Sequence, residues 1–315
     1  MKLPEKPFAK IRKNGIFLIL LLLFLLSSVF VRGFFSPVNL ANVLRQITVV
    51  TIIALGATFV ITLGHINVSY GSVIALIGCL TCKVMVVSGS LAVALAVGLA
   101  LGIIIGAVNG AFITWFNIPA FIMTLAVTTI ARGAVLLFTS ARPITGMKSE
   151  FAFLGQGNIG LMPVPVLILI VLFVISWVLL NKTAFGRHLY ATGGNVFAAT
   201  ASGVKTKSIV RRAFILDGVM TAIAGIVMMS RMNSGQPASG VGYEFDAITA
   251  VVVGGTSLAG GSGSVVGTII GAVIVGIINN CLNLLNVNAY VQQITKGLII
   301  LFAVIVDMLS KRTQR

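Results

Sequence analysis

Few side chains in this sequence could do covalent chemistry, and none stands in a pattern that would. His65 and His188 are its two histidines. A zinc hydrolase needs two histidines and a glutamate on one helix face, and no HExxH occurs. The six carboxylates are Glu5, Glu150, Asp217, Glu244, Asp246 and Asp307, with no spacing suited to paired acid–base work. Cys79 and Cys82 have CxxC spacing, but they and Cys281 lie inside apolar runs. Redox and metal pairs sit in polar, partly exposed loops, so these thiols read as small residues of spans, with neither disulfide nor metal. A phosphate loop needs G-x4-G-K-[S/T], and the sequence has no Gly-Lys dipeptide. Catalysis and a bound cofactor are therefore not expected. Any ATP must be hydrolysed by another polypeptide.

The remaining chemistry is hydrogen bonding to a polar solute. Asn279, Asn283 and Asn286 are spaced by 4 and 3 residues, which puts them on one helix face beside Asn280. Amides so placed either line a wet path for a polyhydroxylated solute or bond neighbouring helices. Asn67 and Ser69 lie in a second polar stretch, Gly64-His65-Ile66-Asn67-Val68-Ser69-Tyr70-Gly71-Ser72.

The elements that must position these groups are membrane spans. Of 315 residues, 58% are hydrophobic and 9% charged, against roughly a quarter charged in soluble domains. Spans of about 20 apolar residues leave room for ten: 14–32, 43–63, 72–88, 90–114, 120–139, 164–180, 213–231, 245–259, 264–285 and 290–309. Residues 27–32 offer no small-residue cleavage site, so the first span reads as uncleaved. The fold class is an all-α polytopic membrane protein, one transmembrane domain over 1–315. Five spans in each half suggest an inverted five-plus-five repeat with broken helices. In this reading no carboxylate falls at the middle of a span. Lys83, Arg132 and Lys296 are the deepest charges, expected to snorkel or to pair inside the bundle.

The net charge of +16 is concentrated. Fourteen of the 22 lysines and arginines precede the first span, fall in 181–212 or end the chain. With ten crossings these three places share one side, the cytoplasmic one. Both termini are then cytoplasmic, and nucleic acid is not a partner. Two polar segments, 140–163 and 232–244, fall outside, the first of them irregular.

Two segments stand out. Gly254-Gly255-Thr256-Ser257-Leu258-Ala259-Gly260-Gly261-Ser262-Gly263-Ser264 breaks a membrane stretch. Freed N–H and C=O groups find no partner in hydrocarbon, so such a break must be packed in protein or line a wet cavity. The loop 181–212 holds Gly193-Gly194-Asn195, read as a turn and helix cap, then a short helix through Ala198 and Ala199 that ends at Gly203. Thirty-odd residues is long for a plain linker, so docking of a partner is expected. Gly98, Gly102, Gly106 and Gly110, four residues apart, mark a face for close helix packing within the bundle or between subunits.

The stretch 234–248, continuing through Gly254-Gly255-Thr256-Ser257-Leu258-Ala259-Gly260-Gly261, resembles the ribose-type ABC sugar permeases. Phe185-Gly186-Arg187, Ala191-Thr192-Gly193-Gly194-Asn195 and Asn279-Asn280-Cys281-Leu282-Asn283 look like the same family. The resemblance implies a bacterial inner-membrane permease for a monosaccharide, a ribose-like pentose or hexose. It implies work as a pair of permease copies, with cytosolic ABC ATPase subunits and a periplasmic sugar-binding protein. The loop then carries the ATPase-coupling residues Arg187, Gly193, Gly194, Asn195, Ala198, Ala199 and Gly203. The chain departs from the family where Asn67 stands in place of the acidic residue of G-I-D-L-S-x-G-S, and where Val196 and Thr200 stand in place of Glu and Arg. The alternative is an ion-coupled secondary carrier, which requires a buried carboxylate.

Overall fold

A computed structural model describes residues 7–312. Lys2, Glu5, Lys6 and Arg315 lie outside it, and Lys10, Arg12, Lys13, Asp307, Lys311 and Arg312 lie outside the described side chains.

The helices, in order, are α1 (Pro7–Phe30), α2 (Pro37–Thr62), α3 (Tyr70–Ser88), α4 (Leu91–Phe116), α5 (Ala120–Thr139), α6 (Ser149–Gln156), α7 (Val164–Lys182), α8 (Ala184–Gly194), α9 (Val196–Ala201), α10 (Thr206–Met232), α11 (Tyr243–Val253), α12 (Val265–Leu284) and α13 (Ala289–Arg312). Each of the ten apolar stretches coincides with a helix. Seven of the described helices, α2, α3, α4, α5, α7, α10 and α12, are long and apolar enough to cross a membrane. The eighth stretch departs most from expectation. α11 holds 11 residues, a rise of about 16 Å, or half a hydrocarbon core. Gly254 caps it, and the apolar residues read as its second half belong to the broken segment. Segment 140–163 is more ordered than expected. It contains α6 and a two-residue hairpin, β1 (Asn158–Ile159) against β2 (Met162–Pro163).

α2 is the axle of the bundle. Every residue from Ile47 to Thr62 is buried, as expected of a helix apolar on all sides. α10 packs along it and is the next most enclosed. The glycine stripe of α4 faces α10 within the same chain. A Cβ at Gly102 would stand 2.6 Å from the Gly218 carbonyl, and one at Gly106 would stand 2.3 Å from the Phe214 carbonyl. Lacking those atoms, the two backbones touch.

Two of the cations expected to lie deep have partners inside the bundle. Lys296 on α13 meets Asp246 on α11 at 2.9 Å. Arg132 on α5 donates to the Pro237 and Ser239 carbonyls at 2.7 and 3.0 Å.

Overpacking the stripe costs about 1–3 kcal/mol. Gly106→Val should lower the thermal midpoint of the purified protein by several degrees. Gly133→Val on α5, where a Cβ meets nothing within 4 Å, should leave it in place.

Candidate functional site

The two broken segments and the basic loop meet at one end of the bundle. Gly64 leaves α2 at φ +78° and turns the chain into 64–69. Gly260 and Gly261, also at positive φ, turn the second break against it. Between them comes the end of α8. A Cβ on Gly193 would lie 1.9 Å from the Thr62 carbonyl, and one on Gly260 would lie 2.7 Å from the Gly193 carbonyl and 2.8 Å from the Gly64 nitrogen. The Gly261 N–H donates to the Thr62 carbonyl at 2.9 Å. The Tyr190 hydroxyl on α8 donates to the Gly263 carbonyl at 2.8 Å.

Several of the freed backbone groups are satisfied by protein. In 64–69, the Val68 N–H donates to Thr124 Oγ1 at 3.2 Å, and Thr128 Oγ1 donates to the Val68 carbonyl at 3.1 Å. In 254–264, the Ser257 N–H reaches the Ser262 carbonyl, and the Ser264 N–H reaches Thr256 Oγ1.

Asp217 corrects the expectation that no carboxylate falls at the middle of a span. The Arg211 and Arg212 charges suggested a start at 213, but α10 begins at Thr206. Asp217 is thereby well inside the helix and buried. Asn67 Nδ2 donates to its Oδ2 at 2.7 Å, and the Tyr70 hydroxyl donates to Oδ1 at 2.9 Å. The amide orientation is fixed because Asn67 Oδ1 accepts from the Ser69 N–H at 2.9 Å and from Ser69 Oγ at 2.7 Å. A carboxylate at 67 would face Asp217 at hydrogen-bond distance, and like charges so close cannot both stay ionised. The departure at Asn67 therefore has a structural counterpart across the helix contact.

The coupling-loop residues fall on two short helices. Gly193 and Gly194 close α8 rather than form a turn, because the carbonyl of Ala191 still bonds onward to the Asn195 N–H at 3.1 Å. Asn195 caps α9, its Oδ1 accepting from the Ala198 N–H at 3.0 Å. Ala199 is buried and Ala198 exposed. Gly203, at φ +83°, ends the segment. Arg187 and His188 are exposed on α8. Burial pushes the Tyr190 hydroxyl above its ordinary pKa.

A family profile described as branched-chain amino acid transport system / permease component matches residues 39–304. The ribose import permease protein RbsC of Bacillus subtilis is 45% identical over 298 residues, 94% of this chain and 92% of its own. RbsC of Escherichia coli is 42% identical over 292 residues, 91% of each chain. The L-arabinose transport system permease protein AraH of Escherichia coli is 37% identical over 304 residues, 96% of this chain and 92% of its own. No solved structure matches. The chain belongs to this permease family.

In the permease the amides of α12 are engaged between helices. Asn279 Nδ2 points to Asp246 Oδ2 at 3.4 Å. Asn280 and Asn39 exchange hydrogen bonds at 2.9 and 3.1 Å. Asn283 accepts from Gln292 on α13 at 3.0 Å. These groups do not converge with Asn67 and Ser69, which lie at the Asp217 clasp. Sequence reasoning missed Asp217 and Tyr70. Tyr70 gave no signal, while Asp217 could have been found by extending the helix back through the two arginines.

Leaving a buried acceptor unsatisfied costs about 1–3 kcal/mol. Asn67→Asp should lower the thermal midpoint of the purified permease, and adding Asp217→Asn should restore it by exchanging donor and acceptor. A single variant as stable as the wild type, or no recovery in the double, would contradict the clasp.

Proposed function

We propose that the permease carries a ribose-like pentose or hexose, delivered by a periplasmic binding protein and driven by cytosolic ATPase subunits docked at α8 and α9. Its membership in an ABC sugar-importer family supports a multi-pass inner-membrane subunit, and relatives named for ribose and L-arabinose support a monosaccharide of pentose size. The basic end of the bundle, with both termini, faces the cytosol in this reading, following the bias of lysine and arginine.

The observation that carries the proposal is an apolar edge in a polar place. Phe197 and Val196, in the first turn of α9, are 88% and 49% exposed. They stand beyond the glycine junction, so a partner that seats them pushes on the ends of both breaks. Arg187, Gly193, Gly194, Asn195, Ala198, Ala199 and Gly203 build and aim that edge. Ile104, Ile130, Leu137 and Val171 are exposed on α4, α5 and α7, offering surface to lipid and to a second permease copy. Asn67, Ser69, Asn279 and Asn280 are buried and can contact solute only in a state where their present bonds exchange, whereas Asn283 is exposed. An inverted repeat fits the placement of α2 and α10, each the second span of its five, at the centre.

In vesicles holding all subunits, uptake should require ATP. Phe197→Ala should weaken ATPase association by about 2 kcal/mol, roughly thirtyfold. Unchanged association would move the docking site elsewhere. Asp217 is the observation that favours an ion-coupled carrier, and uptake undiminished without the ATPase would select that reading.

A further inference from the structure

At the end of the bundle opposite the glycine junction lies a cleft of about 530 Å³, lined by Asn42, Arg45, Gln46, Gln156 and Arg231. Its place follows from the helices. Asn42, Arg45 and Gln46 are in the first turns of α2, whose other end is at Gly193. Arg231 is in the last turn of α10, which begins next to α9. Gln156 ends α6.

The lining is built. Arg45 reaches across from α2, donating to the Gln156 carbonyl and to Asn158 Oδ1, both at 3.0 Å. Gln156 Nε2 donates to the Arg231 carbonyl at 3.0 Å. These bonds tie α2, α6 and α10 around the opening. Neither guanidinium is ion-paired among the described residues, and Arg45 Nε is buried without a partner. Among the described residues no carboxylate lines the cleft. Arginine is disfavoured on the far side of the membrane from the basic loop, so two unneutralised guanidiniums there call for an anionic complement. A neutral sugar needs no such charge, and a strong solute site in the mouth would slow its onward passage.

We propose that this cleft is a socket for acidic side chains of the extracytoplasmic binding protein. The Arg231 guanidinium and the remaining Nη1 of Arg45, beside the amides of Asn42 and Gln46, offer charged and neutral N–H donors that suit carboxylates on a protein surface. The assignment rests on the importer reading above. It places electrostatic attraction at the face where delivery occurs, where it raises the association rate and makes binding sensitive to salt.

The test uses the whole transporter, permease with its ATPase, in lipid nanodiscs, and the purified sugar-loaded binding protein as probe. Arg231→Gln leaves the Arg45 bonds to Gln156 and Asn158 in place, and Arg45→Lys keeps a charge while removing the guanidinium. Arg231→Gln should weaken binding about tenfold or more, flatten its dependence on salt, and raise the binding-protein concentration for half-maximal uptake by a similar factor. Arg45→Lys should have a smaller effect in the same direction. Affinity unchanged in both variants overturns the proposal, and lowered maximal uptake at that unchanged affinity would assign the cleft to solute instead. Failure of the wild type to bind the probe, or uptake by the wild type without ATP, would count against the importer reading itself.

Discussion

Three stretches of main chain meet where only a hydrogen atom fits. The ends of α2 and α8 and the 254–264 break come together at Gly64, Gly193 and Gly260, and a Cβ on Gly193 would lie 1.9 Å from the Thr62 carbonyl. Packed interiors do not deform smoothly; they shift between discrete arrangements. A contact of backbone on backbone leaves no flexible side chain to absorb a push on α8. Displacement of the loop helices must then move the ends of both broken spans. The hydrogen bonds from Gly261 to Thr62 and from Tyr190 to Gly263 hold the same three pieces in register.

The polar groups of the bundle serve this arrangement. Thr124 and Thr128 on α5 take up the freed groups of 64–69, and Asp217 gathers Asn67 and Tyr70. Because α10 continues into the segment after α9, the clasp links the start of α3 to the helix that leads out of the loop. Lys296, Asp246 and Asn279 tie α13 and α12 to the short α11. A half-length helix ending in glycines needs such side support, since its own backbone stops short of a full crossing.

Much of this was legible in the sequence. The apolar stretches located the helices because hydrocarbon leaves little choice of secondary structure. Asn195 announced the cap of α9, and the four-residue spacing of Gly98 through Gly110 announced a close helix contact. What was not legible depends on partners distant in sequence. The amides Asn279, Asn280 and Asn283 allowed either a path or a bond between helices, and nothing local could reveal Asp246, Asn39 and Gln292 across from them. Two arginines hid the true start of α10 and with it the depth of Asp217. The cleft at Arg45 and Arg231 gathers residues from three helices far apart in the chain.

The junction is tested most directly by adding one methyl group. Uptake and ATP hydrolysis would be measured together in vesicles holding the complete transporter, for Gly193→Ala beside Gly194→Ala, where the nearest atom to a new Cβ is 3.9 Å away. Gly193→Ala should lose uptake while ATP is still hydrolysed, and Gly194→Ala should transport normally. Wild-type uptake by Gly193→Ala would show that the three backbones need not touch for the loop to drive the bundle.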